Sequence, residues 1–146
     1  VVTGSSQGGG LSIISAGLDP RVTAIAANVP ALCDHTGALV GRQAGWPRLI
    51  PSGDELAVQR VTRVSQYFDA VNFARRIKCP TLMAVGLIDR TCPPSGIFAA
   101  FNQIQGPKQM VITPLMGHSQ SPEYSQLKDR WIPGQVFGPP LTAKIQ

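Results

Sequence analysis

Gly4-Ser5-Ser6-Gln7-Gly8-Gly9-Gly10 is the stretch on which the reading of this chain turns. Val1-Val2-Thr3 stands before it, and the small, apolar run Leu11 to Ala16 follows it. Residues 4 to 8 fit G-x-S-x-G, a pattern in which a strand turns sharply into a helix and holds a serine at the tip. Glycines on both sides let the backbone make that turn. The helix that follows gathers unpaired N–H groups beside Ser6, and the N–H of Gln7 is placed to stabilise a developing oxyanion. A plain glycine-rich strand-to-helix connection fits the same residues. A phosphate-binding loop fits less well, because no lysine follows as in G-x-x-x-x-G-K-[ST].

Working outward, strands and helices alternate. Val1 to Thr3 reads as the end of a β-branched strand, and Gly17 with Asp19-Pro20 stops the helix after the turn. Val22 to Ala27 is an apolar run of strand length. Pro30 to Gly53, rich in Gly and Pro, has no clean period and reads as an irregular excursion with short helical pieces. Glu55 to Phe68 and Val71 to Ile77 read as helices. Cys79-Pro80 leads into Thr81 to Ile88, an almost uninterrupted apolar strand. Ser95 to Ile104 reads as a helix ended by Gly106-Pro107, and Gln109 to Thr113 as a last strand. Pro114 to Ser121 is a loop, Pro122 to Trp131 a final helix, and the tail from Pro133 reads as loose. Short apolar strands separated by helices predict an α/β fold, with a mostly parallel sheet covered on both faces. The first strand holds only three residues before the turn, where a central parallel strand has five or six. The expectation is therefore that the chain is cut before a central strand and that N-terminal strands are missing.

Composition narrows the function classes. The 146 residues suit one domain, and 43% hydrophobic against 14% charged residues is the balance of a globular chain. No apolar run reaches the roughly 18 residues of a membrane helix, so no membrane partner is expected. Thirteen Lys and Arg against eight Asp and Glu give a formal charge of +5, but the basic residues are scattered. Their densest spot is Arg75, Arg76 and Lys78, and no nucleic-acid partner is expected. Cys33, Cys79 and Cys92 are odd in number and widely spaced, unlike a disulfide framework. Cys33 and His35 with Cys79 or Cys92 match no zinc spacing, so neither a metal nor a cofactor is expected. The sequence assigns no compartment.

A serine at such a turn needs a base, and the base needs an orienting acid. His118 lies in the loop after the last strand, and Asp89 ends the strand Thr81 to Ile88. Sites in open parallel sheets form at the carboxyl ends of the strands, where Ser6, Asp89 and His118 all fall. Their order along the chain, Ser, Asp, His, is that of α/β-hydrolases. His118 alone also fits a solvated loop histidine, and Asp89 alone a turn-forming aspartate. Trp46 either stacks on a sugar ring or, more simply, anchors its loop. Trp131 reads as core, and Cys92, three residues after Asp89, as a packed small hydrophobe. Gly8 to Gly10 read as a close-packing face of the first helix.

Longer stretches then resemble one family. They are Gly4 to Gly10, Tyr67-Phe68-Asp69, Asn72 to Pro80, Val85 to Asp89 followed by Cys92-Pro93-Pro94-Ser95, Phe98 to Asn102, Gly106-Pro107-Lys108 and Gly117-His118. Over roughly residues 1 to 125 they look like the acetyl xylan esterase and cephalosporin C deacetylase family. The resemblance implies the C-terminal part of an α/β-hydrolase domain over 1–146, with Ser6, Asp89 and His118 as the triad. It implies removal of acetyl groups from acetylated xylose oligomers, small acetyl esters and cephalosporin C, and a hexameric full-length protein. It also places a second oxyanion donor, a tyrosine N–H, in a half this chain lacks. By itself the 146-residue chain is expected to be inert. Two alternatives stay open: another serine hydrolase on the same fold, such as a peptidase or lactone hydrolase, and a non-catalytic fragment or binding module.

Overall fold

The computed structural model describes residues 1–138. Four strands form one sheet in the order β1-β2-β3-β4: β1 Val2–Ser5, β2 Ile25–Asn28, β3 Thr81–Gly86 and β4 Lys108–Thr113. Every pair is parallel, with Ser5 beside Asn28, Ala84 beside Asn28, and Gly86 beside Thr113. Spatial order therefore follows chain order, and each strand ends on the same edge of the sheet. β3 is buried along its whole length and β2 likewise, which is why both read as unbroken apolar runs.

The helices are α1 Gln7–Leu18, α2 Glu55–Ser65, α3 Ala70–Ala74, α4 Pro94–Gln103 and α5 Pro122–Phe137, with a 3-10 turn at Gly37–Val40. One face of the sheet packs the larger core, where Ile25, Ala27, Met83 and Val85 meet Ile13 of α1, Ala70 and Ala74 of α3 and Ile97 of α4. The other face is smaller. Ala26, Leu82 and Ala84 pack there against Tyr124, Leu127, Trp131 and Ile132 of α5. Trp131 is thus core-side, as the sequence suggested. The predicted alternation of strands and helices is the observed one.

Several boundaries differ from the sequence reading, each for a local reason. The first helix opens directly at Gln7 rather than at Leu11, and Gly8 to Gly10 lie inside it. Gly10 does lie flush against the chain, since a Cβ there would overlap the Ala31 carbonyl, but Gly8 faces open space. β2 begins at Ile25, because the Val22 N–H turns back to the Asp19 carbonyl. α2 ends at Ser65 rather than Phe68, and α3 stops at Ala74 rather than Ile77. α5 does not stop at Trp131 but continues through Pro133 to Phe137. Trp131 and Ile132 packed on the sheet hold that turn in place, although Pro133 removes one helical hydrogen bond. The remainder of the tail predicted as loose lies outside the described residues.

Candidate active site

β1 delivers the chain to the sheet edge, and Ser6 makes the turn into α1 with φ 54° and ψ −119°. That is a costly conformation for a residue with a Cβ, and it persists where surroundings over-determine it. Here they do. The Ser6 N–H donates to the Asn28 carbonyl at 2.9 Å, and the Ser6 carbonyl accepts from Gly10 at 3.1 Å and Ala31 at 2.9 Å. Gly4 is obligatory on the near side, since a Cβ there would overlap the Gly8 backbone. The result lifts the Ser6 side chain off the strand end. Gln7 is the first residue of α1, where a helix leaves its N–H groups without intrahelical partners.

Asp89 sits one turn beyond β3, its N–H bonded to the Gly86 carbonyl at 3.2 Å. Its carboxylate is fully buried yet satisfied. Oδ1 accepts from the N–H groups of Thr91 at 2.8 Å and Cys92 at 2.9 Å, and Oδ2 faces His118 Nδ1 at 2.8 Å. The loop after β4 carries His118 and leans on the end of β3. Ile88 donates to the Met116 carbonyl, and a Cβ on Gly86 would overlap that same carbonyl. His118 Nε2 lies 2.8 Å from Ser6 Oγ. An ionised carboxylate only accepts, so Nδ1 carries the proton and Nε2 is left to accept from the serine hydroxyl. The three residues picked from the sequence are therefore brought into one line, although Ser6 and His118 lie 112 residues apart along the chain.

Trp46 is beside this line. Its N–H donates to the Thr91 carbonyl at 2.8 Å, its carbonyl accepts from Leu32 at 3.2 Å, and its side chain shares a crevice wall with Leu32, Cys92 and Pro93. The residue thus ties its loop to the turn after Asp89, while remaining 40% exposed. Cys92 is 2% exposed, and its thiol is pushed up to about 12, first by burial and then by the Asp89 charge, against a smaller opposing pull from the Ser6 hydroxyl. Ligating atoms of Asp89, Cys92 and His118 all lie within 4.8 Å of one another. The combination of Cys33 and His35 with another cysteine forms no such cluster among the described residues.

Asp69 does work that the sequence motifs do not signal. It is 5% exposed, and its carboxylate accepts from Asp34 at 3.0 Å, His35 at 2.7 Å and Val71 at 2.9 Å. One side chain thereby caps α3 and pins the excursion after β2. That segment holds Val29, Leu32 and Asp34 at positive φ and abuts the serine turn through Ala31. An aspartate just before a helix is a legible cap; its second set of partners, about 35 residues away, leaves no local signal.

The family model described as acetyl xylan esterase (AXE1) matches residues 1–133. The chain belongs to the acetyl xylan esterase family. Acetyl esterase Axe7A of Xylanibacter ruminicola is 42% identical over 135 residues, covering 92% of this chain and 30% of that protein. Among solved structures, acetyl xylan esterase 1 from Thermoanaerobacterium sp. superposes with a TM-score of 0.80 at 34% identity, over 92% of this chain and 44% of that one. An acetyl xylan esterase from Paenibacillus sp. R4 superposes with a TM-score of 0.76 at 37% identity, over 88% and 43%. The chain thus spans less than half the length of each of these family relatives, and its sheet is part of an α/β-hydrolase fold.

Proposed function

We propose that the protein carrying this chain is a serine acetyl esterase. The supporting observation is the unbroken line from Asp89 through His118 to Ser6, 2.8 Å at each link, at the carboxyl edge of the sheet. His118 Nε2 takes the hydroxyl proton as Ser6 Oγ attacks the acetyl carbonyl. Asp89 fixes the imidazole tautomer and steadies the imidazolium. The Gln7 N–H donates to the oxyanion of the tetrahedral intermediate. Collapse expels the sugar oxygen, which takes the proton from His118, and leaves an acetyl group on Ser6. Water, deprotonated by His118, then attacks that acetyl; acetate leaves and the serine is restored.

The chemistry calls on no metal and no cofactor. Family membership points the acetyl group to acetylated xylo-oligosaccharides, and the resemblance extends the range to small acetyl esters and cephalosporin C. The sugar-stacking role is assigned to the side chain of Trp46, supported by its 40% exposure on the loop tied to the turn after Asp89. A hexameric full-length protein is part of the same proposal, supported by that resemblance alone. The test is a serine-reactive fluorophosphonate followed by peptide mapping, with acetate release from acetylated xylose oligomers in parallel. One adduct on the Ser6 peptide and acetate release without amide cleavage support the reading. Absence of both overturns it.

A further inference from the structure

Three side chains of different ligand chemistry converge beside Ser6: the Asp89 carboxylate, the Cys92 thiol and the His118 imidazole, with ligating atoms within 4.8 Å of one another. Carboxylate, thiolate and imidazole are the three side-chain types that hold tetrahedral zinc, with ligand atoms about 3.3–3.6 Å apart across the ion. To reach that spacing the widest separation in the cluster closes by about an ångström, while the Asp89–His118 pair, now 2.8 Å apart, opens by about half an ångström. Two of its members sit on loops, His118 after β4 and Cys92 just before α4. The way in is past His118, whose side chain is 28% exposed, whereas Asp89 is sealed. Cys92 stands outside the line from Asp89 to Ser6: its backbone N–H serves Asp89, and its thiol faces the Ser6 hydroxyl.

The geometry points to an inhibitory site for a thiophilic divalent cation, Zn²⁺ or Cd²⁺, on Asp89, Cys92 and His118. On binding, the thiol proton leaves to solvent and a metal–thiolate bond forms, with water or the Ser6 hydroxyl in the fourth position. Whichever His118 nitrogen bonds the ion is withdrawn from the line between Asp89 and Ser6, so the base is lost while the ion stays. A hard cation such as Mg²⁺ gains nothing from the thiolate and leaves the site alone. Inhibition rests on the esterase reading; binding does not.

The test therefore reads binding directly. Cd²⁺ is titrated into the purified protein, and the ultraviolet cadmium–thiolate charge-transfer band is followed. One ion per chain is expected, with no band from Mg²⁺. Cys92→Ser removes the band, His118→Ala weakens binding tenfold or more, and Cys33→Ser and Cys79→Ser leave both unchanged. Folding of each variant is checked by thermal unfolding. In the ester assay, Cys92→Ser raises the half-inhibitory Cd²⁺ concentration at least tenfold. A band that persists in Cys92→Ser, or that ignores His118→Ala, overturns the site. Ester turnover that Cd²⁺ leaves untouched also overturns it while sparing the esterase reading, and a Cd²⁺ band in a protein with no turnover does the reverse.

Discussion

Replacing Asp89 with asparagine separates the orienting role of this residue from its structural one. The carboxylate divides its work between two oxygens: Oδ1 holds the N–H groups of Thr91 and Cys92, and Oδ2 holds His118. Asparagine keeps an oxygen for the first pair, so the turn after β3 survives. Its amide NH2 then faces His118 Nδ1 and donates where the carboxylate accepted. The imidazole is driven to the other tautomer, with its proton on Nε2, 2.8 Å from Ser6 Oγ. A protonated Nε2 cannot take the serine proton. Loss of the tautomer in this way lowers turnover by about ten thousand-fold, about 5 kcal/mol of transition-state stabilisation. Stability changes far less. Two bonds pass from a charged to a neutral acceptor, which costs about 1 kcal/mol and a few degrees of melting temperature. The assay is kcat for acetyl-ester hydrolysis by the natural protein containing this sequence, paired with its melting temperature. Turnover within tenfold of the parent, at an unchanged melting temperature, would refute the tautomer argument. A collapse of both would assign Asp89 to the fold instead.

Other outcomes follow from the same geometry. Ser6→Ala abolishes the fluorophosphonate adduct and lowers turnover by about a million-fold, checked by intact mass and kcat. Gly86→Ala drives a methyl into the Met116 carbonyl and moves the His118 loop; about a hundred-fold loss of kcat is expected, with KM nearly unchanged. Asp69→Ala leaves three backbone N–H groups without their acceptor and lowers stability by about 3 kcal/mol, read by denaturant midpoint, while Asp69→Asn recovers part of the loss. Burial lifts the Cys92 thiol from 9.0 to about 12, so the unfolded chain gives up this proton at lower pH than the folded one. Stability is therefore full below pH 9 and falls as pH rises towards 12, and Cys92→Ser flattens the decline in a pH series of melting curves.

What the sequence disclosed and what it hid divide along the range of the interactions. Thr81 to Gly86 could be read as a strand because burial on both faces leaves an unbroken run. The apolar run continues through the exposed Leu87 and Ile88, which is why the sequence carries the strand two residues too far and sets Asp89 at its end rather than a turn beyond it. The serine turn was legible because Gly4 answers to Gly8, only four residues on, whereas Gly10 answers to Ala31 across the sheet edge. The excursion after β2 was opaque. Its shape rests on Asp69 reaching back to Asp34 and His35, and on non-glycine residues at positive φ that no local rule favours. The end of α5 was misjudged because Pro133 is a local stop signal, while the hold on Trp131 and Ile132 comes from a strand about 50 residues earlier. Local chemistry announces itself in the sequence; contacts made across the sheet do not.

The parallel pairing of β1 through β4 has a further consequence, for how the chain folds. Parallel neighbours cannot be joined by hairpins, so every pairing waits on a long crossover, and such topologies fold slowly. Ser6 and His118 come together only when β1, β3 and β4 share one sheet. No half-folded species can hold the line from Asp89 to Ser6. During refolding, reactivity at Ser6 should appear after helical signal has returned, in step with completion of the sheet, which makes the serine a kinetic reporter on its own fold.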